Sequence, residues 1–222
     1  MSLKSNKILN DAKINLSKGL VDNALLLYQE AFKINKFNPE TLIGLINCFF
    51  LKKDYQNVFN YFGKLEKIIK LDSELLYLKA LSYIEIEEYN KAKEILLNVL
   101  NKNNKLKVLE KISFINKKLN NYSELEKNLL DLINIKKDDI NLKKELIELY
   151  INLHKYSEAH RLIQEVKKNH DLSNDIDFFE LKILFEMKEY EKVIKISDEI
   201  INKGIKVNDV YLLKSKAFFF PE

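Results

Sequence analysis

Three histidines, one cysteine and a few paired carboxylates are the side chains here that could bind a metal or carry out acid–base or nucleophilic chemistry. His154 and His160 stand six residues apart, on different faces of any helix that holds them, so they make a poor metal pair. Both read as solvated surface residues, as does His170. Cys48, within Ile46-Asn-Cys-Phe-Phe50, has no histidine or other base with a visible reason to lie beside it, and reads as a buried structural thiol. Asp138-Asp139 and Glu87-Glu88 fall in turns, where solvation is the default role. A Gly-rich phosphate loop, Gly-x-Ser-x-Gly and His-Glu-x-x-His are all missing from the sequence. The expectation is therefore no enzyme, no cofactor and no metal site.

Lysine is the other candidate chemistry. The 222 residues carry 37 basic and 33 acidic side chains, a net charge of +4, which is mild for a nucleic-acid binder. Arg161 is the sole arginine, although bidentate phosphate and guanine contacts favour arginine over lysine. A single cysteine rules out an internal disulfide and fits a reducing compartment. Neither a membrane-length apolar run nor a signal-peptide pattern occurs, so the cytoplasm is expected. Only four glycines and two prolines occur, which leans the composition towards an all-α protein.

What must position these residues is a repeat. Tyr55, Tyr89, Tyr122, Tyr156 and Tyr190 recur at gaps of 34, 33, 34 and 34 residues, and Val21 marks a sixth copy without the aromatic. Three residues on stand Ala24, Val58, Ala92, Leu125, Ala159 and Val193; four further on stand Tyr28, Phe62, Leu96, Leu129, Ile163 and Ser197. A fixed period of this size marks a solenoid. Each copy divides into two helical stretches. In the third, Leu76, Ala80 and Tyr83 share one helical face of the first, about Glu74 to Glu85. Ala92, Leu96 and Val99 share a face of the second, about Asn90 to Asn101, with Ile86-Glu-Glu-Tyr89 between the two. A small residue at the Ala92 position lets two antiparallel helices approach closely, and the tyrosine covers the turn and packs on the neighbouring pair.

These positions resemble the tetratricopeptide repeat family. Its pattern is supplied in the third copy by Leu76, Ala80, Tyr83, Ala92 and Leu96, in the fifth by Leu146, Tyr150, Ala159 and Ile163, and in the first by Ala12, Ala24, Tyr28 and Ala31. The copies depart from it together. There is no tryptophan, Lys79 and Ile147 break the pattern, and Lys36, Lys70, Asn104, Lys137, Asp171 and Ile205 replace the closing proline. Only Gly19 keeps the glycine between helices. The resemblance implies one all-α right-handed superhelix over residues 1–222, with hairpins at about 5–38, 39–72, 73–105, 106–139, 140–173 and 174–207 and a last helix at 208–220. That helix leads into the apolar ending Phe218-Phe-Phe-Pro-Glu222, which reads either as a cut from a longer array or as a face for self-association.

In such an architecture the first helices line a concave groove. The stripe beside the core then consists of Ile43, Asn47 and Phe50, of Tyr77, Leu81 and Ile84, and of Glu110, Phe114 and Lys117. Adjacent first helices also touch, so Ile43, Leu81 and Ile84 equally suit the core. Lys107, Lys111, Lys118 and Lys144 form a basic shelf next to the stripe. An apolar floor beside lysines, with Asn47 facing a peptide backbone, suits a protein segment with hydrophobic anchors and acidic flanks. A carboxylate clamp is not matched: its positions hold Leu9, Lys13, Gly44, Glu74 and Leu78. The expected role is a non-catalytic interaction scaffold. Nucleic-acid binding through the lysines, or a docking region cut from a longer enzyme, are the alternatives.

Overall fold

The computed structural model describes residues 3–101, 103–169, 174–204 and 208–219. Among them are thirteen α-helices and no strand. The chain divides into two compact units, Met1–Leu119 and Asn120–Glu222. The first holds α1 (Leu3–Ser17), α2 (Val21–Ile34), α3 (Pro39–Leu51), α4 (Tyr55–Leu65), α5 (Ser73–Glu85), α6 (Tyr89–Val99) and α7 (Lys105–Lys118). The second holds α8 (Tyr122–Ile135), α9 (Ile140–Asn152), α10 (Tyr156–Asn169), α11 (Asn174–Glu186), α12 (Tyr190–Asn202) and α13 (Asn208–Phe219). His170, Asp171, Ile205 and the ending from Phe220 to Glu222 lie outside the described residues.

Within each unit the helices follow the repeat. The pairs α1/α2, α3/α4 and α5/α6 pack in the first unit, and α9/α10 and α11/α12 in the second. Successive first helices also touch, α1 with α3, α9 with α11 and α11 with α13. The residues at the close-approach position (Ala24, Val58, Ala92, Leu125, Ala159 and Val193) are all buried, and so are the six that follow them by four. Ser197, the one polar member, buries its hydroxyl without a protein partner. Ala80 is buried with Leu76 and Tyr83 packed against its cluster, as the helical spacing predicts. Gly44 serves a different contact: a Cβ there would lie 2.2 Å from Tyr28 Cε1, so the missing side chain is the space that Tyr28 occupies.

The turn between paired helices repeats as faithfully as the core. Gly19, Lys53, Glu87, Asn120, His154 and Lys188 all have positive φ, between 56° and 75°. At Lys53 the N–H donates to the Phe50 carbonyl (3.0 Å), and the next N–H, of Asp54, donates to Phe49 (2.9 Å). The same two bonds close the turns at Gly19, Glu87, His154 and Lys188. They satisfy carbonyls that the first helix would otherwise leave open. Five copies thus hold a side chain where a left-handed backbone disfavours one by about 1–2 kcal/mol. The conformation that glycine favours is thus kept in five turns that have no glycine.

Several details differ from the sequence reading. The motif tyrosine does not lie in the turn but is the first residue of α4, α6, α8, α10 and α12. From there Tyr55 meets Phe50 edge-on (6.1 Å) and its hydroxyl donates to Glu85 at 3.3 Å, while the Tyr156 hydroxyl reaches Glu186 at 3.4 Å. Asp139 is no idle carboxylate: it caps α9 by accepting the N–H of Asn141 (3.0 Å) and of Leu142 (3.3 Å). His154 is exposed as expected, with Nδ1 2.6 Å from the Tyr156 hydroxyl. His160 is half-buried, less solvated than expected, and its Nδ1 is enclosed with no hydrogen-bond partner among the described residues. Cys48 is buried, and burial pushes its thiol up to about 11, with Lys52 opposing weakly.

In the second unit a charged cluster replaces part of the apolar core. Asp177 on α11 stands at the register held by Leu42, Leu76 and Leu109 in earlier copies. It is buried, as is Glu180 one turn on. Lys167 of α10 lies 2.8 Å from Asp177 and also contacts Glu180, and Lys203 lies 3.0 Å from Asp177. Gln164 donates to Glu180 at 2.6 Å. Burial opposes the charged form of Asp177, but hydrogen bonds from Lys167 and Lys203 outweigh it and hold the carboxyl below its usual range.

Three outcomes follow. Replacing Ala92 by leucine overpacks the closest helix contact and lowers stability by about 1–3 kcal/mol in a denaturant melt. Replacing Glu87 by glycine relieves the left-handed turn and raises stability by about 0.5–1 kcal/mol, the gain tempered by a more flexible unfolded chain. Because the folded Asp177 carboxyl titrates below its unfolded value of about 4, its contribution is present above that pH and lost as pH falls through the lower folded value. Asp177→Asn therefore costs up to about 3 kcal/mol at pH 7, and the deficit against wild type shrinks towards about pH 3. A deficit that stays constant with pH contradicts this assignment.

Candidate functional site

The first helices of the first unit bring part of the expected stripe together. Ile43 and Asn47, one turn apart on α3, and Tyr77 on α5 line a single pocket of about 420 Å³ with Leu75 and Leu78. Asp72 and Glu74 complete it. The helix start explains their presence: Asp72 caps α5 by accepting the Leu75 N–H at 2.9 Å, which fixes the first turn and swings Glu74 to the rim. Ile43 is half-buried against the core cluster, and Tyr77 is half-buried as well. Asn47 is half-buried, and its amide makes no side-chain hydrogen bond among the described residues. Burial raises the Tyr77 phenol, Lys107 opposes, and Glu110 and Glu74 add to the rise, so its hydroxyl stays protonated and can donate.

The other expected residues are placed differently. Phe50 turns to Tyr55 and joins the core cluster, closing its own helix turn. Leu81 is half-buried on α5 and does not line the pocket. Phe114 on α7 is exposed, meets Tyr89 edge-on at 6.3 Å, and has the Lys118 ammonium 5.6 Å from its ring centre. Lys111 is half-buried on the same helix. Lys107 is no open cation: its Nζ lies 2.9 and 3.1 Å from the Glu74 oxygens and 4.7 Å from the Tyr77 ring centre. Lys107 lines a second pocket of about 340 Å³ with Asn101, Asn103 and Asn104, which shares Asp72 and Glu74 with the first. Lys144 stands on α9, in the second unit.

Sequence reasoning missed Asp72, Glu74, Leu75 and Leu78. The first was legible as a helix cap ahead of an apolar run; the others follow only once the start of α5 is known. It also missed a pocket of about 460 Å³ in the second unit, between α8, α9 and α10. Lys143 is buried there at the register of Leu42, Leu76 and Leu109, its Nζ 3.1 Å from Glu165, and Arg161 stands on the rim. Its lining charges balance, three basic against three acidic, so it favours no ligand charge.

Among the described residues no cluster of metal-ligating side chains occurs, and no helix is long and apolar enough to cross a membrane.

A family model described as "Anaphase-promoting complex, cyclosome, subunit 3" matches residues 17–99, less than half of the chain. No curated protein matches the whole sequence or a part of it. Among solved structures, a tetratricopeptide repeat protein from Parabacteroides merdae is similar over 97% of this chain and 85% of its own, at 20% identity and a TM-score of 0.56. YrrB, a tetratricopeptide protein with an unusual peptide-binding site, is similar over 73% of this chain and 86% of its own, at 14% identity and a TM-score of 0.61. The Naa15/Naa10 assembly bound to HypK-THB is similar over 96% of this chain and 34% of its own, at 9% identity and a TM-score of 0.68. With its regular period, its stacked helix pairs and these likenesses, the chain is a tetratricopeptide-type repeat protein in fold, built of divergent copies.

Proposed function

We propose that this chain is a non-catalytic protein-interaction scaffold of the reducing cytoplasm that holds a peptide segment across α3, α5 and α7 of its first unit. The pocket of Ile43, Asn47 and Tyr77 carries the reading, since it joins an apolar wall to two groups able to bond a peptide backbone. An apolar side chain of the partner seats in the pocket. The Asn47 amide engages the adjacent peptide group, and Phe114 offers a second apolar contact. Lys111 and Lys118 attract acidic flanks, while Lys107 stays paired with Glu74. Lys144, in the second unit, has no part in this pocket. That YrrB, of the same fold, has a peptide-binding site supports the class of partner.

The test uses peptides selected on the wild-type chain from a random display library. Asn47→Ala combined with Tyr77→Ala weakens the selected peptides at least tenfold and leaves the helical circular dichroism unchanged; full affinity in the double variant would move the site elsewhere. Raising salt from about 50 to about 200 mM changes peptide affinity less than tenfold. Binding to nucleic acid through the lysines would instead lose about a thousandfold or more.

A further inference from the structure

The pocket of the second unit joins an apolar wall to charges that the protein does not use up. Its volume of about 460 Å³ is one that small ligands occupy. Leu130 and Ile133 of α8, Leu146 of α9 and Leu162 of α10 give the wall. Lys143 is the one lining charge that is buried, at 5% exposure. An ammonium in a leucine's place is costly to bury, and its Nζ recovers one hydrogen bond, to Glu165 at 3.1 Å. Its other two donors have no acceptor among the described residues. Arg161, the sole arginine, stands on α10 with Glu158 three residues before it and Glu165 four after, and all three line the pocket. That spacing puts them on one helix face, where such residues ordinarily pair. Arg161 nevertheless forms no ion pair among the described residues, and neither does Glu158. Burial and Glu126 raise the Tyr150 phenol, Glu158 adds to the rise and Arg161 opposes it, so both charges reach this lining residue. The pocket thus offers an open cation and an open anion one helical turn apart, above a buried ammonium with donors to spare.

We infer that this pocket binds a free α-amino acid with a neutral side chain. Such a molecule carries its ammonium and carboxylate on one carbon, so it presents both charges at the short separation that Glu158 and Arg161 offer. The carboxylate accepts from the Arg161 guanidinium and from the spare Lys143 donors, and the ammonium donates to Glu158. The side chain lies on Leu130, Ile133, Leu146 and Leu162. The ligand has no net charge, which suits a lining whose own charges balance. A peptide segment brings only uncharged amides to the same place and leaves Glu158 and Arg161 without partners. The site shares no residue with the pocket of the first unit, so its test is independent of the peptide reading.

Calorimetric titration of the full chain with L-leucine, L-phenylalanine and L-glutamine tests this, and at least one of them binds saturably. Its N-acetyl form, which lacks the ammonium, and its amide, which lacks the carboxylate, each bind at least tenfold more weakly. Arg161→Gln and Glu158→Gln, both at exposed positions, each weaken the free amino acid at least tenfold and leave the helical circular dichroism unchanged. If none of the three probes saturates, or if removing either charge from the ligand or from the protein leaves the affinity intact, the inference falls. A form capped at both ends that binds as tightly as the free amino acid would also overturn it, because the pocket would then take a segment of a protein chain.

Discussion

One contact recurs through the chain and everything else is arranged around it. A small or short side chain on the second helix lets that helix settle onto the first, and the residue four positions later fills the space beside it. The residues at both positions are buried in all six copies although the first varies from alanine to leucine. Dispersion and burial reward close approach only when the opposing surface gives way, and here the rest of each hairpin does so. Gly44 yields its side-chain space to Tyr28, and the turns accept a left-handed residue so that the two helices can run back at short range. A helix pair of this kind has a second apolar flank, which explains why successive first helices touch.

The same economy shapes the polar features. Where a copy departs from the apolar pattern it does so with compensation. Asp177 takes a leucine's register and is held by two lysines, and Lys143 takes another and is held by Glu165. Buried charges of this sort cost desolvation that their partners must offset, so they specify an arrangement more than they strengthen it. Beside the candidate pocket, likewise, Lys107 and Glu74 neutralise one another. The groups left to face a partner are then an amide, a phenol and apolar carbon.

Much of this was legible in the residues. The period and the buried faces of Ala80, Ala92 and Leu96 follow from spacing, because a helix places every third or fourth residue on one side, while Cys48 reads as buried because no base has a reason to lie beside it. The turn conformation was not legible, since Lys53, Glu87 and Lys188 give no sign of positive φ; only Gly19 does. For the site, Ile43, Asn47 and Tyr77 could be grouped from helical phase, but the pairing of Lys107 with Glu74 could not. That pairing spans two copies, and its distance depends on how far one hairpin is displaced from the next. His160 is more buried than its type suggests for a different reason: it follows Ala159, which is fully buried.

The central claim is that the five helix crossings within the two units are the most stable points of the chain and recur in register. Amide hydrogen exchange measured residue by residue tests it most directly. The account predicts that the slowest-exchanging amides cluster at and just after Ala24, Val58, Ala92, Ala159 and Val193, in step with the period of the sequence. Protection that is uniform along the helices, or that peaks out of step with these positions, would contradict it.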